Sequence, residues 1–124
     1  MSSATNGVIA LGERAKSASR LLATASTEAK NGALLTAADL LLERAAEIQA
    51  ANDADLAAAE AGGMAAGPLD RLRLTDSRLG GMAEGLRTVA ALADPVGEIL
   101  DGWTRTNGLD ITRRRVPRGV IAII

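Results

Sequence analysis

The stretch Val96-Gly-Glu-Ile-Leu-Asp-Gly-Trp-Thr-Arg-Thr-Asn-Gly-Leu-Asp-Ile-Thr-Arg-Arg-Arg-Val-Pro-Arg-Gly-Val-Ile-Ala-Ile-Ile124 decides the fold. Upstream of it the apolar residues recur at helical steps; here they alternate as in strands. Asn107-Gly108 is a strong hairpin signal, because both residues tolerate the positive φ of a two-residue type I′ turn. Such a turn predicts Thr106 opposite Leu109, Arg105 opposite Asp110, Trp103 opposite Thr112, Asp101 opposite Arg114 and Ile99 opposite Val116. Two of these pairings, Arg105 with Asp110 and Asp101 with Arg114, join opposite charges on the face of Trp103, which supports the register.

Alternation sends Arg113 and Arg115 to one face and Arg114 to the other. The run therefore reads either as a solvated or salt-bridged strand edge or as an anion or nucleic-acid site. With no Phe or Tyr in the chain, base stacking is poorly supplied. Pro117 cannot donate to a ladder and should end the hairpin strand. Beyond Gly119, Val120-Ile-Ala-Ile-Ile124 is a continuous β-branched run of the kind buried on both faces of a parallel sheet. A single strand of that type has no sheet to join within this sequence, so it is expected to be the start of a larger α/β fold.

Working outward toward the N-terminus, Val8, Leu11, Ala15, Ala18 and Leu22 predict an amphipathic helix. Thr24-Ala-Ser-Thr27 offers capping hydroxyls for a second, with Glu28 in its first turn and Leu34, Ala38, Leu41, Ala45 and Ile48 as its stripe. Asn52-Asp-Ala-Asp55 interrupts that stripe and predicts a bent or restarted helix. Gly62-Gly63 should terminate it. Gly67-Pro68 predicts a short helix through Leu72, with the proline at its first position. Thr75 should cap the next, which carries Leu79, Met82, Leu86, Val89 and Ala93 and stops at Asp94-Pro95. Taken alone, these stripes describe a helical bundle or a coiled coil.

The chain has 124 residues, the size of one domain or part of one, and its core must be aliphatic because it holds one Trp and no Phe or Tyr. A formal net charge of −1 and a sequence pI near 5.4 argue against a protein built to hold nucleic acid or an anionic membrane surface. Zero Cys and zero His remove thiol nucleophiles, imidazole bases, disulfides and thiolate or imidazole metal sites. No catalytic residue and no metal ligand is assigned. No signal peptide or membrane-spanning run is evident, which makes the cytoplasm the expected location.

The sequence is similar to the N-terminal part of the gamma-glutamyl phosphate reductase family, also called glutamate-5-semialdehyde dehydrogenase, within the aldehyde dehydrogenase superfamily. The residues that carry the likeness are Ala51-Asn52 with Asp55-Leu56, Leu69-Asp-Arg-Leu-Arg-Leu-Thr75, Asp94-Pro-Val-Gly-Glu98, Asp101-Gly-Trp103, Asn107-Gly-Leu109, and Arg115-Val-Pro117 with Gly119-Val-Ile121. Thr106, Arg118 and Ala122 depart from the family pattern, which usually has proline, an apolar residue and glycine there.

The resemblance implies an aldehyde-dehydrogenase-like α/β fold of which this chain is an N-terminal fragment. Residues 1–95 would be the helical part of the cofactor-binding domain, 96–118 a hairpin serving in oligomerisation, and 119–124 the truncated start of the nucleotide-domain sheet. It also implies NADPH-dependent reduction of L-glutamyl 5-phosphate to L-glutamate 5-semialdehyde and phosphate in proline biosynthesis, by a homo-oligomer. In such enzymes a cysteine thiolate attacks the acyl phosphate; here that residue, and a Tyr-Glu-Ala-Arg-Pro-Asn segment after the strand, would lie beyond Ile124. Ile123 and Ile124, on the strand that leads to the cofactor cleft, are the implied cofactor neighbours, or else plain buried strand. The alternative reading is a non-catalytic helical interaction module whose hairpin pairs with a partner's sheet edge.

Overall fold

A computed structural model describes residues 3–123. Its elements are five helices, α1 (Ser3–Leu22), α2 (Thr27–Glu43), α3 (Ala45–Ala61), α4 (Ala66–Leu72) and α5 (Asp76–Ala91), followed by strands β1 (Ile99–Thr104) and β2 (Asp110–Arg114). They form two compact units: one contains residues 28–92 and the other residues 1–27 with 93–124.

In the unit of residues 28–92, the stripe Leu34, Ala38, Leu41, Ala45 and Ile48 is the less exposed face of α2 and early α3, as its spacing predicts. The expected break at Asn52-Asp-Ala-Asp55 does not occur. α3 runs unbroken through it, and the interruption lies at Arg44, between α2 and α3. Even there the ladder persists, with Arg44 N bonding Leu40 O at 3.0 Å and Ile48 N bonding Arg44 O at 3.1 Å. Asn52 continues the stripe instead of breaking it, and both Asn52 and Leu56 are buried.

α3 ends as its glycines predict. Gly63 takes φ +79°, Met64 N bonds Ala59 O at 3.0 Å and Gly63 N bonds Glu60 O at 2.9 Å, which is the Schellman arrangement. α4 starts at Ala66, so Pro68 occupies the third helical position and not the expected first. Its missing N–H still falls among the first four, which have no partner inside a helix. Thr75 caps α5, its hydroxyl accepting from Arg78 N at 3.3 Å.

The face that α5 buries differs from its expected stripe. Leu79 and Ala83 are buried, with 1% and 0% of their surface exposed, whereas Met82 and Val89 stand about half exposed. Leu86 and Ala90 continue the buried line at intermediate exposure. A small residue lets neighbouring backbone approach closely, so Ala83 rather than the bulkier Met82 faces inward. With Ala38 and Leu56, these two residues are the buried apolar side chains among the described residues.

The other unit contains α1 and the hairpin. The large apolar residues Val8, Leu11 and Leu22 of α1 are exposed. β1 and β2 pair antiparallel, but one residue away from the expected register. Trp103 faces Ile111, Gly102 faces Thr112, and Asp101 faces Arg113, not Arg114. The turn explains the shift. Among the described residues only glycines have positive φ, so Asn107 does not take the left-handed conformation a type I′ turn requires.

Instead, Gly108 N bonds Arg105 O at 2.9 Å and Arg105 N bonds Leu109 O at 2.8 Å, with Gly108 at φ +85°. This is a three-residue loop closing on a left-handed glycine. A bulge at Leu100 then places Ile99 opposite Arg114. Residues 115–123 have neither helix nor strand. The apolar run from Val120 has no neighbouring strand among the described residues to complete a ladder.

Candidate functional site

Arg113 and Arg115 each pair with an acid on β1 or just before it. The Arg113 guanidinium lies 2.9 Å from Asp101, and Arg115 Nε lies 2.8 Å from Glu98. Period-two alternation would put Glu98 and Asp101 on opposite faces, since they are an odd number of residues apart. The extra residue Leu100 restores both to the face of Arg113 and Arg115. These two arginines therefore form a salt-bridged edge, and the expected Arg105–Asp110 and Asp101–Arg114 pairings are replaced. Asp110 instead accepts from the Thr104 hydroxyl at 2.6 Å.

Beside this edge, Pro95, Val96, Arg115, Val116 and Arg118 line a cleft of about 300 Å³. Arg118 has no ion pair among the described residues, so the cleft offers a cation to solvent at the start of the terminal apolar run. Downstream of it, Ile123 is 94% exposed and belongs to neither described pocket. Ile124, the other expected cofactor neighbour, lies outside the described residues.

Within the unit of residues 28–92, a polar cluster fixes the connection from α4 to α5. The Asn52 carboxamide donates to Leu72 O at 2.9 Å and accepts from Leu74 N at 2.8 Å. Arg78 donates to Asp70 O and, at 2.7 Å, to Arg73 O, while its other nitrogen pairs with the Asp70 carboxylate at 2.8 Å. Gln49 donates to Asp76 at 2.7 Å. Leu72 O and Arg73 O, at the end of α4, are thereby satisfied, and Asp70 O gains a second donor beside Arg73 N. The sequence reading missed this role of Asn52. Its available signal was a stripe position: four residues after Ile48 and four before Leu56.

A groove of about 430 Å³, lined by Ala37, Leu40, Leu41, Arg44, Glu47 and Ile48, lies where α2 gives way to α3. Arg44 crosses it to Glu47 with two contacts, at 2.8 and 2.6 Å. No group of acidic residues among those described is placed to hold a metal ion. With no Cys or His in the sequence, these groups can hold backbone and balance charge but cannot supply a thiolate or imidazole to a reaction.

Comparison with known proteins assigns this arrangement. No protein-family model matches the chain. It is 56% identical over 113 residues to a gamma-glutamyl phosphate reductase of Syntrophomonas wolfei subsp. wolfei, covering 91% of this chain and 27% of that protein. A gamma-glutamyl phosphate reductase of Rhizobium etli is 53% identical over 114 residues, with 92% and 27% covered. The crystal structure of gamma-glutamyl phosphate reductase from Thermotoga maritima aligns with a TM-score of 0.80 at 41% identity, over 85% of this chain and 25% of that one. That from Saccharomyces cerevisiae aligns with a TM-score of 0.76 at 33% identity, over 90% and 28%.

The five helices and the hairpin match the N-terminal part of these gamma-glutamyl phosphate reductase structures. The chain is homologous to the N-terminal part of gamma-glutamyl phosphate reductases. It spans 27% of the length of these curated relatives.

Among the described residues, no helix is long and apolar enough to cross a membrane.

Proposed function

We propose that this chain is the N-terminal scaffold of a gamma-glutamyl phosphate reductase, an enzyme that reduces L-glutamyl 5-phosphate to L-glutamate 5-semialdehyde and phosphate in proline biosynthesis. The observation that carries the reading is 56% identity across 91% of the chain to one such enzyme, in a fold that superposes on two others. The reductant proposed is NADPH, the architecture aldehyde-dehydrogenase-like, the assembly a homo-oligomer and the location cytoplasmic.

The residues present do not by themselves fit a dinucleotide. Ile123 stands 94% exposed, with no described pocket around it. We infer that Ile123 and Ile124 contribute an apolar wall beside the cofactor and that its polar groups are held from outside these residues. The proposed division keeps residues 1–95 as helical support, 96–118 as the hairpin of the assembly and 119–124 as the opening strand of the nucleotide-domain sheet.

The chemistry assigned to this chain is support. Asn52 and Arg78 fix the α4–α5 connection, and the paired Arg113 and Arg115 fix the hairpin. The acyl-phosphate nucleophile must come from elsewhere, because these residues include no cysteine.

A domain exchange tests the reading. The matching N-terminal segment of the Syntrophomonas wolfei reductase is replaced by this chain, and oxidation of glutamate-5-semialdehyde is followed through nicotinamide absorbance. An active chimera is expected, together with no rate from the 124 residues alone. A folded but inert chimera would refute the assignment, and a rate from the chain alone would relocate the chemistry.

A further inference from the structure

Three Asn-Gly steps occur in the sequence, at Asn6-Gly7, Asn31-Gly32 and Asn107-Gly108. Asparagine followed by glycine is prone to deamidation, because no side chain on the next residue hinders attack by its backbone nitrogen. The backbone sets the three apart. Asn6 falls in α1 and Asn31 in α2, where the ladder commits successive N–H groups and fixes ψ near its helical value. Asn107 alone sits in a turn, exposed, at the tip of a two-stranded hairpin.

We propose that Asn107 is a site of deamidation, converted through Gly108 to aspartate and isoaspartate while the rest of the chain stays folded. Two features of the turn favour the reaction. Gly108 N is held by one turn bond, to Arg105 O at 2.9 Å, and an isolated two-stranded hairpin opens at small cost. Leu109 N also donates to Asn107 Oδ1 at 3.2 Å. Charge develops on that oxygen when Cγ is attacked, so a donor already aimed at it stabilises the intermediate.

The step balances without a co-reactant other than water. Gly108 N gives its proton to a solvent base and forms a bond to Asn107 Cγ. The side-chain amide nitrogen takes a proton from solvent and leaves as ammonia, giving a succinimide. Water then opens the ring at either carbonyl, producing aspartate or, by the other opening, isoaspartate.

The two products affect the hairpin differently. Aspartate keeps an oxygen where Asn107 Oδ1 accepts from Leu109 N. Isoaspartate routes the backbone through the side chain and adds a carbon to a loop that is closed by Gly108 N to Arg105 O and by Arg105 N to Leu109 O at 2.8 Å. Both closures cannot survive that lengthening.

The test incubates the full chain at mildly alkaline pH and maps peptides for amide-to-acid conversion and for methyl-acceptor isoaspartate. In the folded chain Asn107 is expected to convert several-fold faster than Asn31. In denaturant the two should converge, since both are Asn-Gly steps. Equal rates at Asn31 and Asn107 in the folded chain would overturn the proposal, as would an intact Asn107 where the denatured chain converts at both. An Asn107→Asp variant, compared by hydrogen exchange, should keep the Arg105 amide protected, whereas the isoaspartyl species loses that protection. Protection retained in the isoaspartyl species would remove the predicted effect on the hairpin.

Discussion

Arg113 lies directly across the hairpin from Asp101, its guanidinium 2.9 Å from the carboxylate. Replacing Asp101 and Arg113 singly and together, each by alanine, should therefore reveal coupling. Both side chains are about half exposed or more, so solvent screening holds the coupling energy below about 1 kcal/mol. The same cycle on Asp101 and Arg114 should give additive losses. Hydrogen exchange of the strand amides measures both, and coupling to Arg114 instead would restore the type I′ register.

Asn52 sits on α3 with both halves of its carboxamide committed to backbone. Asn52→Ala should destabilise the protein by about 1–3 kcal/mol, because Leu72 O and Leu74 N lose a partner at a part-buried position. Asn52→Asp can still accept from Leu74 N but faces the Leu72 carbonyl with a carboxylate, and should cost more than the alanine. Urea midpoints rank the two variants; the reverse order would contradict the assigned amide orientation.

The two glycines that end α3 should respond unequally to a methyl group. Gly62 has φ −76°, and a Cβ there would meet its nearest atoms at 3.4 Å. Gly62→Ala should be nearly neutral. Gly63 has φ +79°, where a Cβ is strained, so Gly63→Ala should cost about 1–2 kcal/mol. Thermal denaturation of the pair decides the matter, and equal losses would mean that the left-handed cap is not maintained.

Leu79 and Ala83 report on the inward face of α5. Leu79→Ala should cost about 2–5 kcal/mol as a cavity-forming change. Ala83→Val should cost about 1–3 kcal/mol through overpacking. Met82→Ala should fall well below either, since Met82 is 47% exposed. A loss at Met82 matching that at Leu79 would show that the predicted stripe, not the observed one, packs inward.

What could be read from the sequence was local. The Gly62-Gly63 stop and the Thr75 cap each depend on bonds spanning a few residues, and both appear where expected. The hairpin could be located from Asn107-Gly108, but its register could not be fixed, for two reasons. Asn-Gly is compatible with a turn of two residues and with one of three. The arginine triplet also gives Asp101 a cation at either alignment, so charge matching could not detect the slip.

Asn52 was misread because a polar residue in an apolar stripe resembles a break until its partners, Leu72 and Leu74, are brought near by α4. Arg44 gave no warning of the interruption there. The role proposed for Ile123 has no signal in its own apolar run, whereas the lack of a cysteine thiol could be read directly from composition.

The bulge at Leu100 also bears on aggregation. The outer edge of a hairpin strand is a template for further strands, and natural sheets interrupt such edges to avoid uncontrolled stacking. An extra residue bends the strand and disturbs the even spacing of its outward N–H and C=O groups. β1 therefore presents a regular template only from Asp101 to Thr104, whereas β2 is unbroken from Asp110 to Arg114. The bulge makes the hairpin's two edges unequal, leaving β2 as the edge along which a further strand can be added in continuous register.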